Sequence, residues 1–374
     1  MPPRIVCLRG MQPGDMRGLN KMARDFTPSH IGISTGLGRC AYRCRYCQLA
    51  YYRPATYKVD RYIAVVEKFM EYKARTGFHF NQWLGYSFDI DTEDFAKQLD
   101  LVRRCGGEMT CFLMGGIRLM PEADLRQWLE ARKALGCTSM VASYVGHGAL
   151  NDYWHNQSGH FDFQIKAQKL ALAMGFTTGQ RLFLLRSSLP LLGELMDILD
   201  EVSGEDTTRE AYPLLYNGLA RQYEHERVTW EMLEKQSTRV ASVFHKNKIN
   251  WRSEQEWIAW VLAGNEWVQP SYLFLHITDA NIDRIEKMSC EQIIEDLTAQ
   301  TRAAYAMIPT TEELAEKYGD PANDKIYSFV WDMECLWLDR FCKQNPPCRN
   351  SLEFNVFREL ITGRYCDSTG NTRI

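Results

Sequence analysis

Short apolar runs alternate with amphipathic stretches from residue 30 to about residue 200. His30–Thr35 (HIGIST) reads as a strand, and residues 62–75 as a helix with Ile63, Val66, Phe69 and Met70 on one face. A second strand is expected over 82–88 (QWLGYSF). Asp91-Thr92-Glu93 then resembles a helix start with acidic groups in the first turn, and that helix runs to about Arg104. Residues 109–114 read as a third strand closed by Gly115-Gly116. Pro121 sits where a first helical position would be, and Gly136 stands where the helix ending at Leu135 would stop. A fourth strand is expected over 139–145, a helix over 163–174 ended by Gly175, a fifth strand over 180–185, and a helix over about 190–202. Repeated β-α units with short connections imply a parallel sheet with helices outside. A closed or partly closed (β/α) barrel and an open doubly wound sheet both satisfy the pattern.

The rhythm changes after residue 205. Residues 210–223 and 229–244 read as helices, 258–267 as a mixed aromatic stretch, 272–277 (YLFLHI) as a last strand and 284–307 as a long helix. From about residue 309, four prolines and four cysteines mark a helical, loop-rich cap. The expected organisation is an extension over 1–29, a β/α core over 30–280 and a helical, cysteine-containing cap over 281–374. An N-terminal winged domain for leader-peptide recognition is not expected, since 29 residues are too few for one.

Composition narrows the function classes. A net charge of −3 gives no reason to expect a nucleic-acid or anionic-membrane partner. No apolar run is long enough to cross a bilayer, and MPPRIVCLRG lacks the apolar core of a signal peptide, so a cytoplasmic location is expected. In a reducing compartment the 12 cysteines read as metal ligands or redox groups before disulfides. Cys105, Cys111 and Cys137 sit in apolar or helix-end patterns and read as ordinary buried thiols. The 10 Trp, 18 Tyr and 17 Phe read first as core, and second as the lining of a dry cavity.

The strongest chemical signal is Gly36-Leu-Gly-Arg-Cys40-Ala-Tyr-Arg-Cys44-Arg-Tyr-Cys47, a C-x3-C-x2-C spacing just after the first strand. Three thiolates so close in sequence can converge on one [4Fe-4S] cluster, and soft sulfur suits iron–sulfur sites. A structural zinc would want a fourth ligand, which the neighbourhood lacks; a zinc knuckle is the alternative. Three ligands leave one iron open to chelate the amino and carboxylate groups of S-adenosylmethionine (SAM). Arg39, Arg43 and Arg45 offer positive charge to a thiolate cluster, and Tyr46 is an aromatic placed to meet an adenine face.

This spacing, with an aromatic before the last cysteine and a β/α series around it, resembles the radical SAM superfamily over roughly residues 28–205. The resemblance implies a partial (β/α)6 barrel with a mostly helical C-terminal extension. It implies a [4Fe-4S] cluster on Cys40, Cys44 and Cys47, and reduction of SAM to methionine and a 5′-deoxyadenosyl radical that takes hydrogen from a substrate. It places Tyr46 near adenine. Where the family often carries Gly-Gly-Glu for the SAM amine, this chain reads Gly85-Tyr86-Ser87-Phe88-Asp89, so Ser87 and Asp89 are the candidates for that ammonium group. Gly106-Gly107-Glu108 falls in an expected surface turn. Ser143 on the fourth strand and Arg186 after the fifth are candidates for the ribose or carboxylate of SAM. The stretch from Asn151 to Phe161, with His155, Gly159 and His160, is loosely similar to one in peptide-modifying members, and otherwise reads as polar loop over the barrel mouth.

Cys335, Cys342, Cys348 and Cys366 are the candidates for an auxiliary iron–sulfur cluster, as in SPASM or twitch extensions; free thiols in the cap are the other reading. The expected function is that of a radical SAM oxidoreductase or lyase. Its substrate is a ribosomal peptide in natural-product maturation or, alternatively, a small metabolite such as a sugar, nucleoside or amino-acid derivative. A flavodoxin or ferredoxin would donate the electron. The alternative of another class is a non-enzymatic zinc-binding interaction protein.

Overall fold

The computed structural model describes residues 26–37, 40–47, 55–82, 89–244, 250–265, 272–306 and 308–345. Its strands are β1 (His30–Thr35), β2 (His79–Gln82), β3 (Cys111–Leu113), β4 (Ser139–Tyr144), β5 (Thr177–Leu184), β6 (Thr208–Pro213), β7 (Arg252–Ser253), β8 (Tyr272–Ile277) and β9 (Ile326–Tyr327). Two sheets are parallel, one ordered β2-β1-β8 and the other β3-β4-β5-β6. The result is an α/β fold whose parallel strands, among the described residues, do not close into a barrel. The short β7 and β9 pair antiparallel.

Side-chain alternation decides which face of each sheet is covered. Ile31 and Ile33 of β1 and Leu273, Leu275 and Ile277 of β8 pack on helices Val59–Thr76 and Ile282–Lys287. Phe112, Met140, Ala142, Tyr144, Leu182 and Leu184 do the same beneath helices Glu122–Ala134, His160–Ala173 and Leu192–Asp200. Each fully buried side chain of this kind stabilises the fold by about 1.5–3 kcal/mol. The intervening residues, including Ser143, Arg181 and Glu210, therefore face the other side, away from the helices.

Local sequence set several boundaries as expected. Asp91 caps helix Thr92–Arg104 by accepting from the Asp94 amide at 2.9 Å. Gly136 and Gly175 adopt φ of 97° and 80° just beyond helices, a region that side chains disfavour.

Other expectations are corrected. Residues 210–223 form the end of β6 and then a 3-10 helix, Gly218–Glu226, not one helix. Glu210 and Ala211 favour helix locally, but pairing with β5 and the breaks at Pro213 and Gly218 prevail. The stretch 229–244 is two short helices, Trp230–Glu234 and Thr238–Ser242, because the Ser237 side chain starts a new one by accepting from the Val240 amide. The helix expected over 284–307 is likewise split into Ile282–Lys287 and Cys290–Ala306. Strand β2 lies at His79–Gln82, and most of the expected strand over 82–88 lies outside the described residues. Ile282, Ile285 and Ile293 belong with the β1/β8 core, whereas Trp257 and Val261 of helix Glu254–Leu262 join the C-terminal helices Thr311–Tyr318 and Val330–Gln344. No helix among the described residues is long and apolar enough to cross a membrane.

Candidate active site at the cysteine loop

The chain leaves β1 at Thr35 and crosses the C-terminal ends of the strands of the second sheet. Ala41 donates its amide to the Gly116 carbonyl at 2.8 Å, just after β3, and the Tyr42 hydroxyl donates to the Ile117 carbonyl. Arg45 donates its amide to the Trp154 carbonyl at 2.8 Å, beyond β4. Cys47 accepts from the Leu219 amide at 2.8 Å, beyond β6. The ring of Tyr46 packs against Phe183, near the end of β5, at 5.0 Å between centroids. Five short contacts thus tie eight residues of loop to the end of the sheet where α/β folds bind their ligands.

Tyrosine and histidine side chains form the footing beneath it. The stretch read as polar loop is instead helix Gly148–His155, a turn at Asn156 with φ of 52°, and helix His160–Ala173. The His155 Nδ1–H donates to the Asn151 carbonyl at 2.8 Å, which leaves Nε2 to accept from the Tyr46 hydroxyl at 2.8 Å. Burial lowers the pKa of His155 to about 4, so it is neutral. The His160 ring lies tilted against His155 at 4.3 Å and edge-on to Tyr42 at 4.5 Å between centroids, and neither of its ring nitrogens has a partner among the described residues. Arg45 lies over the Tyr153 ring at 4.2 Å and donates to the Tyr153 carbonyl at 3.0 Å.

Cys40 is exposed, and Cys44 and Cys47 are half-buried; none is in a disulfide. The Cys47 amide donates to the Cys44 carbonyl at 3.1 Å, making a tight turn. Burial pushes the Cys44 thiol far above its ordinary pKa, and the neighbouring Cys47 and Cys40 push it further. Burial also raises Cys40, with Asp89 adding to the shift while the Tyr42 carbonyl and Arg43 oppose it. Three thiols within electrostatic reach of one another disfavour their own ionisation, and a cation bound among them would relieve that. Among the described residues no three His, Cys, Asp or Glu side chains stand gathered as a metal-holding group. The fit is therefore one of donor chemistry: soft sulfurs outside any disulfide, on a loop fixed at both ends.

The other sequence candidates fall at different distances from this loop. Tyr46 is buried, 8% exposed, with its hydroxyl engaged by His155. Asp89 is close enough for its charge to act on Cys40 and Tyr42, and its carboxylate stands 3.9 Å from Arg118. Ser143 lies on the uncovered sheet face, and its carbonyl accepts from Gln164 at 3.1 Å. Arg186 is exposed and donates its amide to the Glu226 carbonyl at 2.7 Å. Ser87 lies outside the described residues, as do Cys348 and Cys366. Cys335 and Cys342 are buried in helix Val330–Gln344 among apolar side chains, and burial pushes Cys335 up to about 12. Sequence reasoning missed the footing. Tyr42 and Tyr46 flank Cys44 at four-residue spacing, a signal that the loop has an inward, aromatic side.

No family model matches the chain, and no curated protein does. Several solved structures align at low identity. SuiB of Streptococcus suis bound to S-adenosylmethionine is 14% identical over 50% of this chain, with a TM-score of 0.32; the chain spans 39% of that protein's length. Coproporphyrinogen III oxidase (HemN) of Escherichia coli, a radical SAM enzyme, is 9% identical over 89% of this chain and 93% of its own, with a TM-score of 0.40. The protein anSMEcpe with bound AdoMet and the Cp18Cys peptide is 12% identical over 88% and 99%, with a TM-score of 0.39. Likeness at this distance assigns no family.

Proposed function

We propose that this chain is a radical SAM enzyme in which Cys40, Cys44 and Cys47 hold a [4Fe-4S] cluster. When bound, the cluster with SAM at its open iron would supply a 5′-deoxyadenosyl radical for hydrogen abstraction. One observation carries the reading: a C-x3-C-x2-C loop pinned across the C-terminal ends of parallel strands, its three thiols outside any disulfide and within electrostatic reach of one another. Tyr42 and Tyr46 hold the loop down from below. Arg43 acts on Cys40 to favour its thiolate. Asp89 is near enough for its charge to act on Cys40, and a carboxylate there suits the ammonium group of SAM. Ser143 and Arg186 are the further candidates for SAM contacts. A peptide or small molecule would be the substrate, and a flavodoxin or ferredoxin would deliver the electron.

Anaerobic purification tests the reading. The protein should be brown, absorbing near ~400 nm as thiolate-bound iron–sulfur clusters do. It should form 5′-deoxyadenosine from SAM after dithionite reduction. Cys44→Ala should lose the iron and that product. A colourless protein carrying one zinc, or undiminished product from the variant, would sink the assignment in favour of a zinc-binding interaction protein.

A further inference from the structure

Cys40 is the most exposed of the three loop cysteines, and the surface around it has a character that hydrogen abstraction itself does not call for. Between the buried Tyr42 and Tyr46, Arg43 is exposed and Arg45 is half-buried. The loop is stitched at Ala41 to Gly116, two residues before Arg118, and at Arg45 to Trp154, one residue after Tyr153. Ala41 and Arg45 are four residues apart, which spans at most about 14 Å of chain. Both stitches therefore fall within the footprint of a single protein partner, about 800 Å² on each side.

This surface is apolar at two points and cationic between them. Leu119 is 37% exposed and Tyr153 49%, and Leu262 is the other exposed large apolar side chain among the described residues. Arg45 lies over the Tyr153 ring at 4.2 Å, and its guanidinium bonds neutral oxygens, the Tyr153 carbonyl at 3.0 Å and Asn156 Oδ1 at 3.5 Å. The Arg118 side chain is 68% exposed, whereas that of Asp89, 3.9 Å away, is only 10% exposed, so solvent meets the cation and not the anion. Elsewhere Arg61, Arg104, Arg239 and Arg284 each meet a carboxylate within 2.8 Å. On a chain of net charge −3, a face that shows guanidinium groups and an aromatic ring is complementary to an acidic protein surface.

We propose that the face formed by Arg43, Arg45, Arg118, Leu119 and Tyr153 docks a small acidic one-electron carrier protein, which delivers its electron from the Cys40 side. The proposal rests on the radical SAM reading, in which the cluster must gain one electron that the carrier gives up. Arginine charge steers the acidic carrier to the loop, and Leu119 and Tyr153 supply the desolvated contact that holds it there.

The full-length protein, purified anaerobically, is titrated calorimetrically with two probes, an acidic flavodoxin and an acidic [2Fe-2S] ferredoxin. At least one should bind at ~50 mM salt, with an affinity that falls about tenfold or more by ~300 mM. Leu119→Ser combined with Tyr153→Ser should weaken that binding about tenfold or more, while dithionite-driven formation of 5′-deoxyadenosine stays at the wild-type rate. Arg118→Glu should weaken binding about tenfold, and Arg118→Lys, which keeps the charge and guards against a folding defect, should stay within about threefold of wild type. Failure of both carriers to bind would overturn the proposal and leave the face to another acidic polypeptide. Binding indifferent to salt and to these substitutions would overturn it too, as would loss of dithionite-driven product in the Leu119/Tyr153 variant, which would place those side chains in the chemistry itself. Wild-type protein that binds a carrier in this way yet makes no 5′-deoxyadenosine with dithionite would remove the radical SAM reading and leave the docking surface standing.

Discussion

Tyr46 is the residue on which the geometry of the cysteine loop turns. It precedes Cys47, is buried on the inward side of the loop, and gives its hydroxyl proton to a histidine that has no other donor for that nitrogen among the described residues. Tyr46→Phe keeps the ring packing on Phe183 and removes the donor. A buried acceptor left unsatisfied costs about 1–3 kcal/mol, and urea unfolding at pH 7.5 should show a loss of that order. A loss no greater than a few tenths would mean that water reaches His155 Nε2, so that the footing is not the sealed contact described. His155 also sets a sign for acid. Its folded pKa of about 4 lies below the ordinary 6.5, so its contribution is present above 6.5 and is lost as pH falls toward 4.

At the scale of elements, helix Val330–Gln344 docks on the segment after β6 through Asp332, whose carboxylate accepts from the Tyr216 amide at 2.5 Å. Burial raises the Asp332 pKa to about 7, against the opposing charge of Arg227. The folded state thus holds a proton that the unfolded chain releases near 3.8. The stability this proton contributes is full below 3.8 and lost as pH rises through 7. Asp332→Asn removes the titration, so its urea midpoint should rise relative to wild type between pH 5 and pH 8. An equal difference at both pH values would show that the carboxyl is ionised in the fold throughout. Such docking explains where sequence reading succeeded and where it fell short. HIGIST and YLFLHI were legible as strands because β-branched and aromatic residues in short runs carry their own signal. TREAYP was not, because its strand character comes from neighbours on β5 and not from Glu210 or Ala211 themselves. The cysteine spacing was legible since ligand chemistry is written in residue type. Its footing on Gly116, Trp154, His155 and Leu219 was not, since those partners lie 75 to 172 positions away and only the fold brings them together.

Over the whole molecule, one segment joins the cap to the cysteine loop. In the 3-10 helix Gly218–Glu226, Leu219 donates to the Cys47 carbonyl, while Arg221 pairs with Asp339 of helix Val330–Gln344 at 3.0 Å. The loop's position therefore depends on a cap that is itself fastened by a buried charge. Glu254, fully buried at the start of its helix, accepts from Trp337 Nε1 at 2.7 Å, from Asn323 at 2.6 Å and from the Asp320 amide at 2.9 Å, and pairs with both terminal guanidinium nitrogens of Arg340. Neutral donors satisfy the carboxylate's lone pairs, but only Arg340 among these contacts balances its charge. Arg340→Ala leaves that charge unbalanced in the interior and should cost about 3–5 kcal/mol, whereas replacing the pair with Arg340→Met and Glu254→Gln should recover much of it. Tryptophan fluorescence during urea unfolding reads the outcome at Trp337, which sits in the contact. If the single variant unfolds at the wild-type midpoint, Glu254 is not what fastens the cap, and the link from cap to cysteine loop must run through Asp332 and Asp339 alone.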